Sequence, residues 1–209
     1  MDVDDLIAAL NRAGRTVADT QLHGAPAHVV ELRRALSAPV ADVWEACTRP
    51  ERVGRWFLPL SGDLRPGGSY QLEGNAGGTI TTCEPPHRLQ LTWQFGDAEP
   101  SLVSLDLAAA GDDTTELVLR HTVPDDDHWA QYGPGAVGVG WDGALSGLTA
   151  FVAGDVGPID DQLMADFMRM SADLWGTAHQ ATAVTPEAAQ DAAARTRAFY
   201  APDEQPGSH

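Results

Sequence analysis

The sequence predicts an α+β fold: a curved antiparallel sheet wrapped around one long helix, with a C-terminal helical extension. Three observations predict it. After Pro59, short runs of alternating apolar and polar residues are separated by turn residues, the pattern of a meandering antiparallel sheet of about six or seven strands. From Gly135 to Ala153, apolar residues recur at helical spacing over the longest such stretch of the chain. After Pro158 two more helical patterns follow.

Taken in order, Val3, Leu6, Ile7 and Leu10 fall at helical spacing, and Arg15 to Leu22 reads as an edge strand turning at Gly24-Ala25-Pro26. Residues 1–27 thus precede a main domain spanning 28–153. His28 to Leu36 is the first firm strand, because Val30, Leu32, Arg34 and Leu36 share one face while Val29, Glu31 and Arg33 take the other. Pro39 suits a helix start, and Val40, Val43, Trp44 and Cys47 repeat at i, i+3, i+4 and i+7. In the stretch TRPERVGRWFLP, Thr48 and Glu51 are spaced as a capping box for a second short helix. Val53, Trp56 and Phe57 share its apolar face, and Pro59 ends it. Two helices meeting at a capped corner therefore push a Trp-Phe wedge against something large and apolar.

The strands follow. Ser69 to Glu73 sets Tyr70 and Leu72 against Gln71 and Glu73, and Arg88 to Phe95 sets Leu89, Leu91, Trp93 and Phe95 against Arg88, Gln90, Thr92 and Gln94. Gly78 to Cys83 lies between them, with turns at Arg65–Gly68, Asn75–Gly78 and Glu84–His87. Ser101 to Ala109 aligns Val103, Leu105 and Leu107; Thr114 to Val123 aligns Leu117, Leu119, His121 and Val123. A sheet with one apolar face needs a cover, and Val137, Trp141, Leu145 and Leu148 of the long helix supply it. Gly138, Gly140, Gly143 and Gly147 lower that helix's propensity but let its backbone approach the sheet closely. The chain breaks between Gly154 and Pro158. Leu163, Phe167, Met170 and Leu174 form a further amphipathic helix, and Thr185-Pro186-Glu187 caps a last one running to about Tyr200. Residues 154–209 therefore read as a helical extension with a disordered tail.

Composition narrows the function. With 13 basic residues, all arginine, against 30 acidic ones, the formal net charge is -17, which repels nucleic-acid backbones and anionic lipid. Neither nucleic acid nor membrane is an expected partner. The opening MDVDDLIAALNRAG has no long apolar run, so neither a secretory signal nor a membrane span is expected there, and the expected location is the cytoplasm. Cys47 and Cys83, the only cysteines, lack metal-ligand spacing and read as reduced thiols. Consecutive acids in Asp125-Asp126-Asp127-His128 read as a solvated loop rather than a cation site, so no metal and no cofactor are expected.

The order of strand, two short helices, meander and closing helix resembles the helix-grip fold of the START and Bet v 1 (SRPBCC) superfamily. The segments RALSAPVADVWEACTRPERVGRWF, GGSYQLEG, RLQLTW and GWDGALSGL are similar to the family named for the activator of Hsp90 ATPase, in its stand-alone bacterial form. The resemblance covers about Val29 to Val152 and leaves out the C-terminal helices. It implies an apolar cavity between sheet and long helix, with Trp56 and Phe57 at or near its mouth. Those two aromatics, and equally Tyr70, Trp93 and Trp141, either line that cavity or simply fill the core.

Two polar residues stand on otherwise apolar strand faces, where an unpaired charge is costly. Arg34 either grips a ligand carboxylate, pairs with a buried acid, or emerges at the sheet edge. His121 is either a hydrogen-bonded core histidine or a ligand contact. The leading functional expectation is a cytosolic protein holding a small hydrophobic or amphipathic molecule, with Arg34 or His121 fixing a polar end. The family name implies a second, a co-chaperone or stress-related interaction module, although the separate chaperone-binding domain of eukaryotic members has no room before His28. A third is acid-base catalysis in the cavity, as in polyketide cyclases of this fold. The apolar stripe of residues 159–200 must be buried on the same chain or on a second copy, and a homodimer is the expected form.

Overall fold

The computed structural model describes residues 3–155 and 160–202. The break expected over Gly154 to Pro158 is described only as far as Asp155, and the disordered tail expected beyond Tyr200 lies largely outside the described residues.

Helix α1 (Val3–Arg12) leads into strands β1 (Gly14–Leu22) and β2 (Ala25–Leu36). Leu22 pairs with Ala25, so His23 and Gly24 alone make the turn, both at positive φ (52° and 85°), the twist a two-residue hairpin favours. Helices α2 (Val40–Thr48) and α3 (Pro50–Val53) form the corner. The meander is β3 (Leu60–Gly62), β4 (Ser69–Leu72), β5 (Gly77–Glu84), β6 (Arg88–Trp93), β7 (Ser101–Gly111) and β8 (Thr114–Pro124). Helices α4 (Asp127–Tyr132), α5 (Gly135–Val152), α6 (Asp161–His179) and α7 (Pro186–Tyr200) complete the described chain.

The eight strands form one antiparallel sheet in the order β1-β2-β8-β7-β6-β5-β4-β3, curved around α5. Its register follows from the alternation: Val30 pairs with His121 and His121 with Val103, while Leu32 pairs with Leu119 and Leu119 with Leu105. These rows put Val30, Leu32, Leu36, Leu117 and Leu119 in a buried core beneath Val139, Leu145 and Leu148 of α5. A one-residue slip would turn that whole set to solvent, so the core fixes the register.

Three local expectations are corrected. Thr48 and Glu51 form no capping box: Pro50 takes the first helical position of α3, Arg49 is its N-cap, and no side chain caps it. Thr48 is instead the last residue of α2, and its hydroxyl donates back to the Trp44 carbonyl at 2.7 Å. The acids after Pro124 are not all loop, since Asp126 accepts from the Trp129 amide at 2.8 Å and starts α4. The glycines of α5 serve other neighbours than the sheet. A Cβ on Gly138 would lie 2.3 Å from the Trp175 ring of α6, and one on Gly147 would lie 2.7 Å from the Trp56 carbonyl oxygen.

Part of the apolar stripe of the extension is taken up within the same chain, while Leu163, Met170 and Leu174 stay partly exposed. Trp175 of α6 is fully buried against α5, and Phe167 closes over Leu10 of α1. Thr185 caps α7 by accepting from the Ala188 amide. Among the described residues no helix is long and apolar enough to cross a membrane, and no cluster of three or more His, Cys, Asp or Glu side chains is placed to hold a metal ion.

Candidate functional site

The corner after α2 builds one wall of a cavity. Trp56 and Phe57 both donate backbone N–H groups to the Val53 carbonyl, which continues α3 for one more turn. The Trp56 indole N–H donates to the Ala46 carbonyl at 3.0 Å, and Gly147 gives the Trp56 carbonyl its seat on α5. From there the aromatic rings run in a chain: Trp56 to Phe57 at 5.6 Å, Phe57 to Trp141 at 6.3 Å and Trp141 to Trp93 at 5.0 Å between centroids. Opposite them Tyr70 donates its hydroxyl to the Thr92 carbonyl at 2.8 Å, tying β4 to β6 across β5. Together these five aromatics and the aliphatic residues of the sheet enclose a cavity of about 140 Å³ beneath α5.

The lining holds no group that trades protons near neutrality. Burial pushes the Cys47 thiol up to about 12 and also raises the thiol of Cys83 and the phenol of Tyr70. Both cysteines are free and face this apolar space.

His121 lies behind the aromatic chain rather than on the cavity wall. The Trp141 indole N–H donates to its Nδ1 at 3.0 Å. Since indole nitrogen only donates, Nδ1 carries no proton and the ring is the Nε2–H tautomer. Nε2 then donates to Ser101 Oγ at 2.7 Å, and Ser101 donates to the Trp93 carbonyl at 2.9 Å. A second proton would set two donors face to face, and burial already lowers the pKa to about 3 from 6.5. Between those values the unfolded chain binds a proton that the folded chain refuses. The contribution to stability is therefore whole above pH 6.5 and lost as pH falls toward 3, by up to about 1.4 kcal/mol per pH unit. Urea unfolding of the protein and of His121→Asn at pH 7 and pH 5 is expected to show the wild type losing about 2 kcal/mol more than the variant over that interval. Equal losses would show that His121 titrates freely in the fold.

Arg34 is held away from the cavity, in a buried polar cluster on another face of α5. Asp142, fully buried, receives Arg15 through Nε at 3.1 Å and Nη2 at 2.7 Å, Ser171 at 2.6 Å and the Trp175 indole at 2.9 Å. Arg34 reaches the same carboxylate at 3.5 Å and donates to Ser146 at 3.0 Å. Its Nε and Nη2 make no hydrogen bond. Burial, only partly offset by Asp142 and reinforced by the charge of Arg15, lowers its pKa to about 10. Of the three settings open to Arg34, pairing with a buried acid is the one found. Arg15 and Asp142 were not singled out in the sequence. The available signal was that Asp142 is the sole charged residue in the 18 residues of α5.

Residues 37–153, more than half of the chain, match the family model described as activator of Hsp90 ATPase homolog 1-like protein. The chain belongs to this family. Among solved structures, this family member is similar to CalU16 from Micromonospora echinospora, at 35% identity and a TM-score of 0.69 over 80% of this chain and 98% of CalU16. It is also similar to DynU16, described as a protein in the dynemicin biosynthetic locus, at 26% identity and a TM-score of 0.54, covering 60% of this chain and 47% of DynU16. EF2215 from Enterococcus faecalis shares the fold at 17% identity and a TM-score of 0.58, over 81% of this chain and 95% of that one. No curated protein matches the chain. The helix-grip architecture expected from the motifs is thus the fold of this Hsp90-activator-like chain, and it encloses a cavity of the kind that binds ligands.

Proposed function

We propose that the protein binds a small, flat hydrophobic or amphipathic molecule in the aromatic cavity and performs no acid-base step on it. The observation that carries this reading is the lining itself: four aromatic rings in sequence on one wall, with Arg34 and His121 both outside it, Arg34 beside Asp142 and His121 bonded to Trp141 and Ser101. General acid-base catalysis needs a proton carrier within hydrogen-bond reach of the substrate, and Cys47 and Tyr70 do not titrate near neutral pH. The description of DynU16 as a protein of a biosynthetic locus favours a biosynthetic small molecule over a protein client.

The resting cavity of about 140 Å³ is the size of a void that admits a single ring; an apolar cavity of about 150 Å³ takes up benzene. Ligand pockets usually reach about 300 Å³ or more. A multi-ring ligand therefore either extends out of this half-open cavity or displaces the Trp56–Phe57 corner, the wall formed by a short turn rather than by sheet or long helix.

Titration with fatty acids, flavonoids and polycyclic dyes is expected to change tryptophan emission for at least one flat aromatic class. Trp56→Phe should reduce that change while leaving the melting temperature within a few degrees, because a ring remains at the site. If no member of the panel perturbs the emission, the binding reading fails.

A further inference from the structure

A second cavity, of about 320 Å³, opens on the other side of the Trp93–Trp141–His121 cluster. Trp93 belongs to both cavities, Trp141 lines the first, and His121, bonded to Trp141, lines the second. The two cavities therefore share Trp93 as a common wall, its ring centroid 5.0 Å from that of Trp141 and 6.0 Å from that of His121. The two spaces differ in chemistry. The first is lined mainly by apolar side chains, with Thr48, Tyr70 and the two cysteines among them. The second is lined by two acids, Glu99 and Asp126, beside the rings of Trp129 and Phe95, the latter 62% exposed to solvent, and by His121 and His128, and no arginine lines it.

Resting on the binding reading above, we infer that the two cavities are adjoining chambers of one site, and that the second selects ligands bearing a protonated amine beside their apolar rings. An ammonium group gains from both kinds of wall there: carboxylates attract it directly, and the faces of Trp and Phe attract cations through their quadrupoles. A carboxylate on the same ring system meets the two acids, on a chain whose net charge is already -17, and has only His128 in the lining to turn to. Neither His121 nor Ser101 offers an anion a free donor, because Nε2–H is given to Ser101 and the Ser101 hydroxyl to Trp93. Specificity for the polar end thus comes from the second chamber, while the first reads only flatness and size.

The test uses naphthalene carrying an aminomethyl, a hydroxymethyl or a carboxylate group, with affinities read from tryptophan emission at low and moderate salt. The amine is expected to bind most tightly, the alcohol next and the carboxylate least, and the preference for the amine should shrink as salt rises. Glu99→Gln and Asp126→Asn keep size and, for Asp126, an N-capping oxygen. Each is expected to weaken the amine about three-fold and to leave the alcohol unchanged. If all three bind equally, or if the substitutions weaken amine and alcohol alike, the inference is overturned while ligand binding stands. If none of the three binds, both fall together.

Discussion

Asp142→Asn is expected to cost about 3–5 kcal/mol of folding stability, measured by urea unfolding at neutral pH. Asp142 is, among the described residues, the acid that faces both buried guanidinium groups, and it also accepts from Ser171 and the Trp175 indole. The amide keeps the shape but leaves both arginines uncompensated in an environment that cannot solvate them. Arg34 and Arg15 are not equivalent in this respect. Arg15 has the bidentate contact and two backbone carbonyls, of Leu10 and Ala13, whereas Arg34 leaves Nε and Nη2 unbonded. Arg34→Met is accordingly expected to be neutral or stabilising on its own, and to recover part of the loss when combined with Asp142→Asn. A loss below about 1 kcal/mol in the single Asp142 variant would show that the cluster is solvated and not a buried ion network.

Trp175→Ala is expected to cost a similar amount, about 3–5 kcal/mol, because it removes a fully buried indole and one of the donors to Asp142. The matching change on the other side is Gly138→Ala, whose Cβ would sit 2.3 Å from the ring. Neither the ring nor the α5 backbone has a flexible end that could yield, so overpacking should cost about 1–3 kcal/mol or more. Combined with Trp175→Ala, the same alanine occupies part of the void and improves helix propensity. The double variant should therefore be at least as stable as Trp175→Ala alone. Additive losses would mean that Gly138 and Trp175 do not share one packing space.

The parts of the fold legible in the sequence are those whose information is local. Alternation in β2, β6 and β8 placed Arg34, Trp93 and His121 on their faces, and the recurrence of apolar residues marked α5 from Gly135. Turn chemistry could mislead: the spacing of Thr48 and Glu51 fits a capping box, yet Pro50 pre-sets the first helical position and shifts the helix start by one residue. The three-residue β3 carries too short an alternation to be distinguished from loop. What sequence spacing does not hold is the meeting of distant elements. Arg15 and Asp142 lie 127 positions apart, and only the tertiary register of β1 under α5 brings them together. The same holds for His121 and its donor Trp141, so the face of His121 was readable but its tautomer was not.

The register of β2 against β8 has a consequence for where this protein can be cut. The family match begins at residue 37, one position after β2 ends, yet β2 lies inside the sheet between β1 and β8. A fragment trimmed to the matched region would open the full length of β8, with Leu117, Leu119 and Val123 beside unpaired backbone amides and carbonyls. Such a long apolar edge invites strand addition by other chains. The same cut removes Arg15 and Arg34 and, at the other end, Ser171 and Trp175, so Asp142 would stand bare on α5. The smallest self-sufficient piece of this chain is therefore larger than the region that the family model matches.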